Sequence, residues 1–376
     1  MSRRSRIFMS LVACSALAAA TVAAPATAGA ATGSDDTGGA EPPAELVDEF
    51  GVDALSEPQI TEQRSLFGGA RESTIRIGPV IAEAHEHDDD DHDGGHEAGS
   101  GHGTHGDGPR GPEEKAHGTH TTIAAPVPMP CWLLSCYITS VEPDLTYKDG
   151  SRANYDTDIM LHHAVLFDRS REDITCADET LGLAGQRIFA AGNERTGGQI
   201  PEGYGLPIGP VPLLWSVVEL ENFAPEAQAV FFDMTVEATP SLLDSGVTEV
   251  TPVWWDVANC TFDSHHHVPE GESTTTWQWE STLTGTLHAA GGHLHDGGDT
   301  LTLHNRTTGD ELCASHADYG NDPAYLGHID TMTTCTDGNL GTITQGDTLE
   351  LVSDYHSHYP QHNAMSIMIG FVEETD

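Results

Sequence analysis

The sequence has few basic residues. Only 15 lysines and arginines stand against 59 aspartates and glutamates, and the formal net charge at pH 7 is −44. Nucleic acids and anionic membranes are themselves negative, so a chain of this charge is repelled by them. We therefore expect no nucleic-acid partner.

Beyond its first residues the chain also lacks an apolar run long enough to span a bilayer. Residues 1–28 combine a basic start, an apolar segment over 7–24 and a small-residue site at 26–28, which is the pattern of a secretory signal. An alternative is a lipoprotein cleavage box ending at Cys14, which would tether the protein through lipid. We expect a secreted or extracytoplasmic protein without a membrane span, or a cell-surface lipoprotein if Cys14 is modified.

Residues 29–122 have few aromatic and large apolar side chains and are rich in Gly, Asp, Glu and Pro. This composition predicts a disordered acidic arm, with a short ordered patch near 73–81. The arm contains a histidine-rich tract that would collect divalent metals weakly, and a plain solvated spacer is the alternative. Its histidines are His85, His87, His92, His96, His102, His105, His117 and His120.

Six cysteines remain after cleavage of the signal, an even number in a chain bound for an oxidising compartment. We predict three disulfides and leave their pairing open. The close spacing of Cys131 and Cys136 leaves a zinc site as an alternative.

From Ile123 onward, short apolar runs alternate with Gly, Pro and Asp, and helical periodicity is nearly absent. This predicts an all-β chain with two tandem jelly-roll-type β-sandwich domains, over 123–250 and 251–376. We predict hairpin turns at 296–299 and 345–347. The clearest strands are expected at 158–167, 229–237, 276–280, 285–288, 300–304, 348–352 and 365–372.

Two histidine pairs stand out, and one of them lies inside the expected strand 158–167. His293 and His295 are two residues apart, so in a strand they face the same side and can converge on one metal ion. His162 and His163 are adjacent, so binding one metal through both requires a bulge or a strand end. Met365 begins the last strand, where a core role is the alternative to a thioether ligand.

These three elements, in this order, resemble the copper type II ascorbate-dependent monooxygenases, the group of peptidylglycine α-hydroxylating monooxygenase and dopamine β-hydroxylase. They resemble still more the bacterial and plant stress-upregulated nodulin-like proteins, through the Gly-His-Leu-His-Asp-Gly-Gly segment and the late methionine strand. The resemblance covers about 123–374. It implies up to two copper ions, a disulfide between Cys313 and Cys335, and dioxygen, a reductant such as ascorbate and a small-molecule or peptide-like substrate as partners.

The resemblance also assigns the metal ligands. His162 and His163 would bind an electron-donating copper, whereas His293, His295 and Met365 would bind the copper that activates oxygen. The third histidine of the first site does not carry over, because no histidine occurs between His163 and His265. Met234 lies nearest the expected place; its neighbour Asp233, the run 265–267 and an empty position are the alternatives.

Three functions follow from these features. The first is a copper-dependent monooxygenase that hydroxylates a C–H bond. The second is a copper-binding protein without turnover, for storage or resistance, and the missing third histidine favours it. The third is a structural exported sandwich whose histidines are incidental.

Overall fold

The structure, a computed structural model, describes residues 58–66, 69–85, 118–128, 130–131, 135–177, 185–209, 213–241, 246–261, 264–320 and 323–375. The signal segment, Cys14 and most of the histidine-rich tract lie outside these ranges. Helical structure in the described residues is limited to 3-10 turns such as Tyr155–Thr157, so the prediction of an all-β chain is confirmed. No helix in these ranges is long and apolar enough to cross a membrane.

The strands fall into an earlier and a later set. The earlier strands are β1 (Gln59–Ser65), β2 (Arg71–Ala82), β3 (Thr119–Pro126), β4 (Cys136–Thr146), β5 (Ile159–Asp168), β6 (Gln186–Ala191), β7 (Gly198–Gln199), β8 (Tyr204–Ile208), β9 (Leu214–Asn222), β10 (Gln228–Pro240) and β11 (Thr248–Glu249). The later strands are β12 (Thr251–Asp256), β13 (His266–Val268), β14 (Gly271–Glu280), β15 (Gly285–Leu294), β16 (Gly298–Asn305), β17 (Asp310–Tyr319), β18 (Ile329–Met332), β19 (Thr334–Cys335), β20 (Gly341–Ile343), β21 (Thr348–Ser357), β22 (Gln361–Ala364) and β23 (Ser366–Glu374).

The earlier strands form the first sandwich. One sheet has the order β1-β2-β10-β4-β8-β11, with β7 paired to β4, and the other has the order β3-β9-β5-β6. The alternating side chains of β10 explain the packing, because Val230, Phe232, Met234 and Val236 are all fully buried between the two sheets. This core ends in the sequence at Ala238.

Strands β1, β2 and β3 begin inside the segment for which the composition predicts disorder. β2 covers the ordered patch expected near 73–81 and pairs with β10 along most of its length. Its Ile75, Ile77 and Val80 are buried in the core, so few but well-placed apolar residues are enough to order this strand. The folded part of the first sandwich thus starts well before Ile123.

The later strands form the second sandwich. One sheet has the order β12-β23-β15-β19, with β20 paired to β15, and the other has the order β14-β21-β16-β17-β18. A separate core between them includes Trp255, Leu287, Leu301 and Met368. The last strand, β23, runs antiparallel to β15 and brings the methionine end of the chain beside the His-x-His segment.

The predicted hairpin turns at 296–299 and 345–347 are wrong as hairpins. Chain reversals occur at both places, but β15 and β16 belong to opposite sheets of the second sandwich, as do β20 and β21. Each turn therefore carries the chain across the core. Turn-forming residues predict that the chain changes direction, but they do not predict that the strands on either side of the turn pair with each other.

Three disulfides are present, as predicted. Cys313 pairs with Cys335, and Cys131 pairs with Cys136 in place of the zinc site that their spacing left open. The third joins Cys176 of the first sandwich to Cys260 of the second.

The same junction between the sandwiches contains a buried ion pair. The Arg187 guanidinium donates to Asp173 through Nε and Nη2, both at 2.8 Å, and Nη2 also donates to Asn259 of the second sandwich. Its charged plane lies 4.6 Å from the ring centre of Trp254. Trp254, Met365 and Ile367 pack together against Val165 of the first sandwich, so the β3-β9-β5-β6 sheet faces the sheet that contains β15 and β23.

Candidate metal centre

The adjacent histidines of β5 occupy a β-bulge. Leu161 pairs with Leu220 and His163 pairs with Glu219, so His162 is the extra residue in the strand. The bulge resets the alternation, which leaves Leu161 in the core and turns both imidazoles to the outer face of the sheet. The backbone irregularity that two adjacent ligands require is therefore present.

Glu219 on β9 lies between these two imidazoles. Its Oε2 is 3.0 Å from His163 Nε2, and its Oε1 is 3.6 Å from His162 Nδ1 and 2.6 Å from His120 Nδ1. Burial acts to raise the pKa of Glu219, but the contacts with His120 and His162 outweigh it and hold that pKa well below its usual range. The carboxylate is thus ionised and shared among three imidazoles.

In the second pair, His293 lies on β15 and is oriented from the first sandwich, and His295 follows directly after the strand. His293 Nδ1 lies 3.0 Å from Glu194 Oε1, and the same oxygen accepts the backbone N–H of Gly192 at 3.0 Å. A Cβ on Gly192 would lie 2.4 Å from His293 Cε1 and 2.5 Å from Glu194 Oε2, so only glycine leaves room for this contact. With Nδ1–H donated to the carboxylate, His293 presents Nε2 as its free ligand atom.

His295 and Met365 are held together by one tyrosine. Leu294 pairs with Ser366, so the residues that follow on one strand and precede on the other, His295 and Met365, are neighbours across the sheet edge. The Tyr355 hydroxyl accepts the backbone N–H of His295 at 3.1 Å and donates to the carbonyl of Met365 at 2.6 Å. These two hydrogen bonds hold the backbones of His295 and Met365 together, and the Met365 side chain packs with Trp254 and Ile367 between the two sandwiches.

The two pairs meet in one place, which we call the histidine cluster (His162, His163, His293 and His295). The ring centres of His162 and His295 are 4.9 Å apart, those of His162 and His163 are 5.1 Å apart, and those of His293 and His295 are 5.4 Å apart. Within this cluster Nδ1 of His163 and Nε2 of both His293 and His295 are buried without a hydrogen-bond partner.

Buried polar atoms without partners are rare in folded proteins, because each one is destabilising by about 1–3 kcal/mol. Imidazole nitrogen is a preferred ligand of copper, and the donation of His293 to Glu194 is the usual outer contact of a metal-bound histidine. The residues of the cluster therefore fit a copper centre.

Burial and neighbouring charges lower the pKa of two histidines of the cluster, so that these imidazoles are neutral at neutral pH. Burial and the charge of His162 lower the pKa of His163 to about 3, and the same two causes lower the pKa of His295 well below its usual value. For His293, burial acts to lower the pKa, but the Glu194 carboxylate reverses the effect and raises it. Neutral imidazole is the ligand form, so His163 and His295 need no deprotonation at neutral pH.

A cavity of about 800 Å³ opens at the histidine cluster, between the two sandwiches. His162, His293 and His295 contribute to its wall. Elsewhere the wall contains Tyr155, which stacks on His328 with ring centres 3.6 Å apart, while His328 in turn is paired with Asp296. A cavity of this size that reaches candidate metal ligands can hold a small organic molecule.

Met234 is not brought to the cluster. It lies on β10, in the sheet opposite β5, and its side chain is buried in the core of the first sandwich. Its neighbour Asp233 is occupied by an ion pair with Arg76 at 2.7 Å. The alternation along β10 turns position 234 inward, whereas His162 and His163 face outward.

Three further histidines lie at the edge of the cluster or away from it. His288 is buried against Glu373 at 2.8 Å and stacks on Tyr204. His358 and His362 are exposed and line the rim of the cavity.

Reasoning from the sequence did not place three residues beside the paired histidines: Glu219, Glu194 and His120, the last of which it assigned to the histidine-rich arm. Glu219 and Glu221 are acidic positions that alternate with apolar ones in β9, and that pattern marks a polar outer face in an otherwise buried strand. Glu194 follows Gly192 in a loop and has no comparable signal.

The chain is similar to one protein family and to two proteins whose names refer to copper. The family described as "Stress up-regulated Nod 19" matches residues 213–375, less than half of the chain. "Probable copper-dependent oxygenase M1" of Phoma sp. is 27% identical over 241 residues, covering 60% of this chain and 58% of the relative. "Probable copper-dependent oxygenase clz3" of Cochliobolus lunatus is 26% identical over 227 residues, covering 56% and 68%. These matches support the resemblance to nodulin-like and copper oxygenase-like proteins, and they do not single out the peptidylglycine and dopamine group.

Among solved structures, PNGF-II is 11% identical with a TM-score of 0.34, covering 66% of this chain and 60% of that one. The STIV MCP is 7% identical with a TM-score of 0.27, covering 68% and 92%. Both scores are too low to carry an argument about the fold.

Proposed function

We propose that the chain is an exported copper-dependent oxygenase that hydroxylates a C–H bond of a small-molecule or peptide-like substrate, with dioxygen and a reductant such as ascorbate. The observation that carries this proposal is the histidine cluster itself. Two histidine pairs from two sandwiches present buried nitrogens without partners beside a cavity. The relatives named as probable copper-dependent oxygenases support the choice of metal and co-substrate.

Each part of the site has a task in this reaction. Copper, when bound, supplies the electrons that reduce dioxygen. Glu194 fixes the ring of His293, and the Tyr355 hydroxyl holds the backbones of His295 and Met365 in register. The cavity binds the substrate next to these ligands. The reductant supplies two electrons and solvent supplies two protons, so that one oxygen atom is inserted into the C–H bond and the other leaves as water.

The thioether of Met365 would set the redox preference of the second pair. Sulfur is a soft ligand that favours Cu(I), whereas the imidazoles of His293 and His295 serve either oxidation state. Met365→Ile changes the side-chain volume little, so the fold and Cu(II) binding are expected to persist while Cu(I) binding weakens. His295→Asn should weaken the binding of both states.

Export is supported by the three disulfides, since such bonds persist in oxidising compartments. The predicted signal segment is consistent with this location. Peptide sequencing of the protein recovered from the medium or cell envelope should find the mature amino terminus near residue 29.

Reductant-driven oxygen uptake by the copper-loaded chain tests the proposal. We expect uptake by the parent, loss in His295→Asn and a marked decrease in Met365→Ile. His316→Asn is the matched control, because His316 is exposed on β17 and bonded to Thr300 away from the cluster. A parent that holds copper tightly but takes up no oxygen with any substrate offered would favour the alternative, a copper-binding protein for storage or resistance.

A further inference from the structure

One group of ligand atoms at the cluster already converges in the way a metal site requires. Nitrogens of His120 and His162 and an oxygen of Glu219 all lie within 4.8 Å of one another, and no other set of three histidine, cysteine or carboxylate side chains in the described ranges does so. A metal ion with bonds of about 2.0–2.2 Å places its ligand atoms at most about 4 Å apart. Small side-chain rotations therefore suffice to close the three atoms around an ion.

The three residues come from three adjacent strands of one sheet. His120 lies near the start of β3, Glu219 lies on the central strand β9, and His162 occupies the bulge of β5. Strand pairing alone brings them together, so the arrangement is rigid where the backbone is concerned. Only the bulge lets His162 share the outer face with the other two.

Two of the three ligands, His120 and Glu219, have an outer contact that would orient them. Glu221 Oε1 lies 3.6 Å from His120 Nε2 and accepts the backbone N–H of Gly118 at 2.7 Å, which leaves Nδ1 of His120 directed at Glu219. The second oxygen of Glu219 is held by His163 Nε2. Metal-bound histidines commonly donate their other nitrogen to a carboxylate in this manner.

The exposed fraction of the side chain increases from His162 through Glu219 to His120. The His162 side chain is 4% exposed, that of Glu219 is 16% exposed and that of His120 is 38% exposed. The His120 side of the group thus opens to solvent, whereas the His162 side touches His295 of the second sandwich. An ion can enter from solvent at His120 without passing through either core.

We propose that His120, His162 and Glu219 bind a Cu(II) ion, so that a histidine from β3 and a carboxylate from β9 complete the first site in place of a third histidine from β10. The proposal rests on the proposed function only for the identity of the metal. A carboxylate is a harder ligand than a thioether, so this site favours the oxidised ion, whereas the Met365 side of the cluster favours the reduced one.

Retention of Cu(II) by the full chain against a competing chelator tests this ligand set. His120→Asn and Glu219→Gln should each lose one ion per chain relative to the parent. His295→Asn should lose a different one, so that the double variant His120→Asn/His295→Asn loses two. His316→Asn should lose none. The other seven histidines of the histidine-rich tract, from His85 to His117, are the same in every variant, so the copper that they hold weakly cancels in the differences.

The electron paramagnetic resonance spectrum supplies a second readout. The Cu(II) signal lost in His120→Asn should be the same signal that is lost in Glu219→Gln, and it should differ from the one lost in His295→Asn. Unchanged circular dichroism in His120→Asn, an exposed position, separates ligand loss from unfolding.

Two results would overturn the ligand set. One is full copper retention in both His120→Asn and Glu219→Gln while His295→Asn loses an ion. The other is loss of the same signal in His120→Asn and His295→Asn. If instead none of the cluster variants changes copper retention, the proposed function fails together with the site, and that outcome is distinct from the first two.

Discussion

Replacement of Glu194 offers a graded test of how the first sandwich controls a ligand of the second. Oε1 of Glu194 accepts both His293 Nδ1–H and Gly192 N–H at 3.0 Å. Gln can keep both hydrogen bonds but has no negative charge. A hydrogen bond to a charged acceptor is roughly twice as strong as one to a neutral acceptor. Removal of an outer contact of this kind lowers metal affinity by about 10–100-fold, or about 1.4–2.7 kcal/mol. We therefore expect about a 10-fold loss in Glu194→Gln and about a 100-fold loss in Glu194→Ala.

The assay is Cu(I) affinity by competition with a chromogenic chelator, which reports on the site that contains His293. Glu350→Gln is the matched control, since Glu350 is likewise shielded and hydrogen-bonded, to Arg306 and Gln278, but lies on the far sheet of the second sandwich. The control should bind Cu(I) as the parent does. Affinities within threefold of the parent for both Glu194 variants would show that the carboxylate does not orient a ligand.

Further outcomes follow from the same contacts. Gly192→Ala should displace His293, because the new Cβ would lie 2.4 Å from its Cε1. The variant should therefore bind Cu(I) more weakly and have a free energy of unfolding lower by about 1–3 kcal/mol. Unchanged Cu(I) binding would contradict this prediction. In the metal-free chain, unfolded His163 takes up a proton near pH 6.5 and folded His163 only near pH 3, so the unfolded state binds more protons between these values. The free energy of unfolding should fall by up to about 1.4 kcal/mol per pH unit as the pH decreases through this window, and urea midpoints measure this fall. In His163→Gln the free energy of unfolding should depend less steeply on pH. Equal slopes in the variant and the parent would refute the prediction. Asp173→Asn removes the negative charge that is paired with the buried Arg187 and should lower the free energy of unfolding by about 3–5 kcal/mol in urea titrations. A loss below about 1 kcal/mol would be inconsistent with the ion pair.

Features of the fold that depend only on residues close together in the sequence could be predicted from the sequence. Short apolar runs bounded by Gly, Pro and Asp located the strands that became β5, β10, β15 and β23, and the even cysteine count predicted the three disulfides. The need for a bulge at His162 follows from strand geometry alone, because adjacent side chains otherwise point to opposite faces. These conclusions need no knowledge of which strands are paired.

The remainder of the site depends on pairing, which the local pattern does not contain. Glu219 meets His163 because β9 and β5 are neighbours in register, and Glu194 meets His293 across two sandwiches. Met234 failed as a ligand candidate because its strand lies in the other sheet and turns that position into the core. His120 was assigned to a low-complexity arm by composition, although its strand pairs with β9 along its whole length.

The location of the cluster links metal binding to the packing of the two sandwiches. If each domain held its own remote ion, the contact between His162 and His295, with ring centres 4.9 Å apart, would have no role. Here His293 of the second sandwich is oriented by Glu194 of the first, and the Cys176–Cys260 disulfide joins the two sandwiches. An ion that binds only the packed arrangement stabilises it in proportion to the logarithm of its free concentration over its dissociation constant. Copper should therefore raise the thermal stability of both sandwiches together, and a chain that gained stability in only one of them would show that the pairs bind independently.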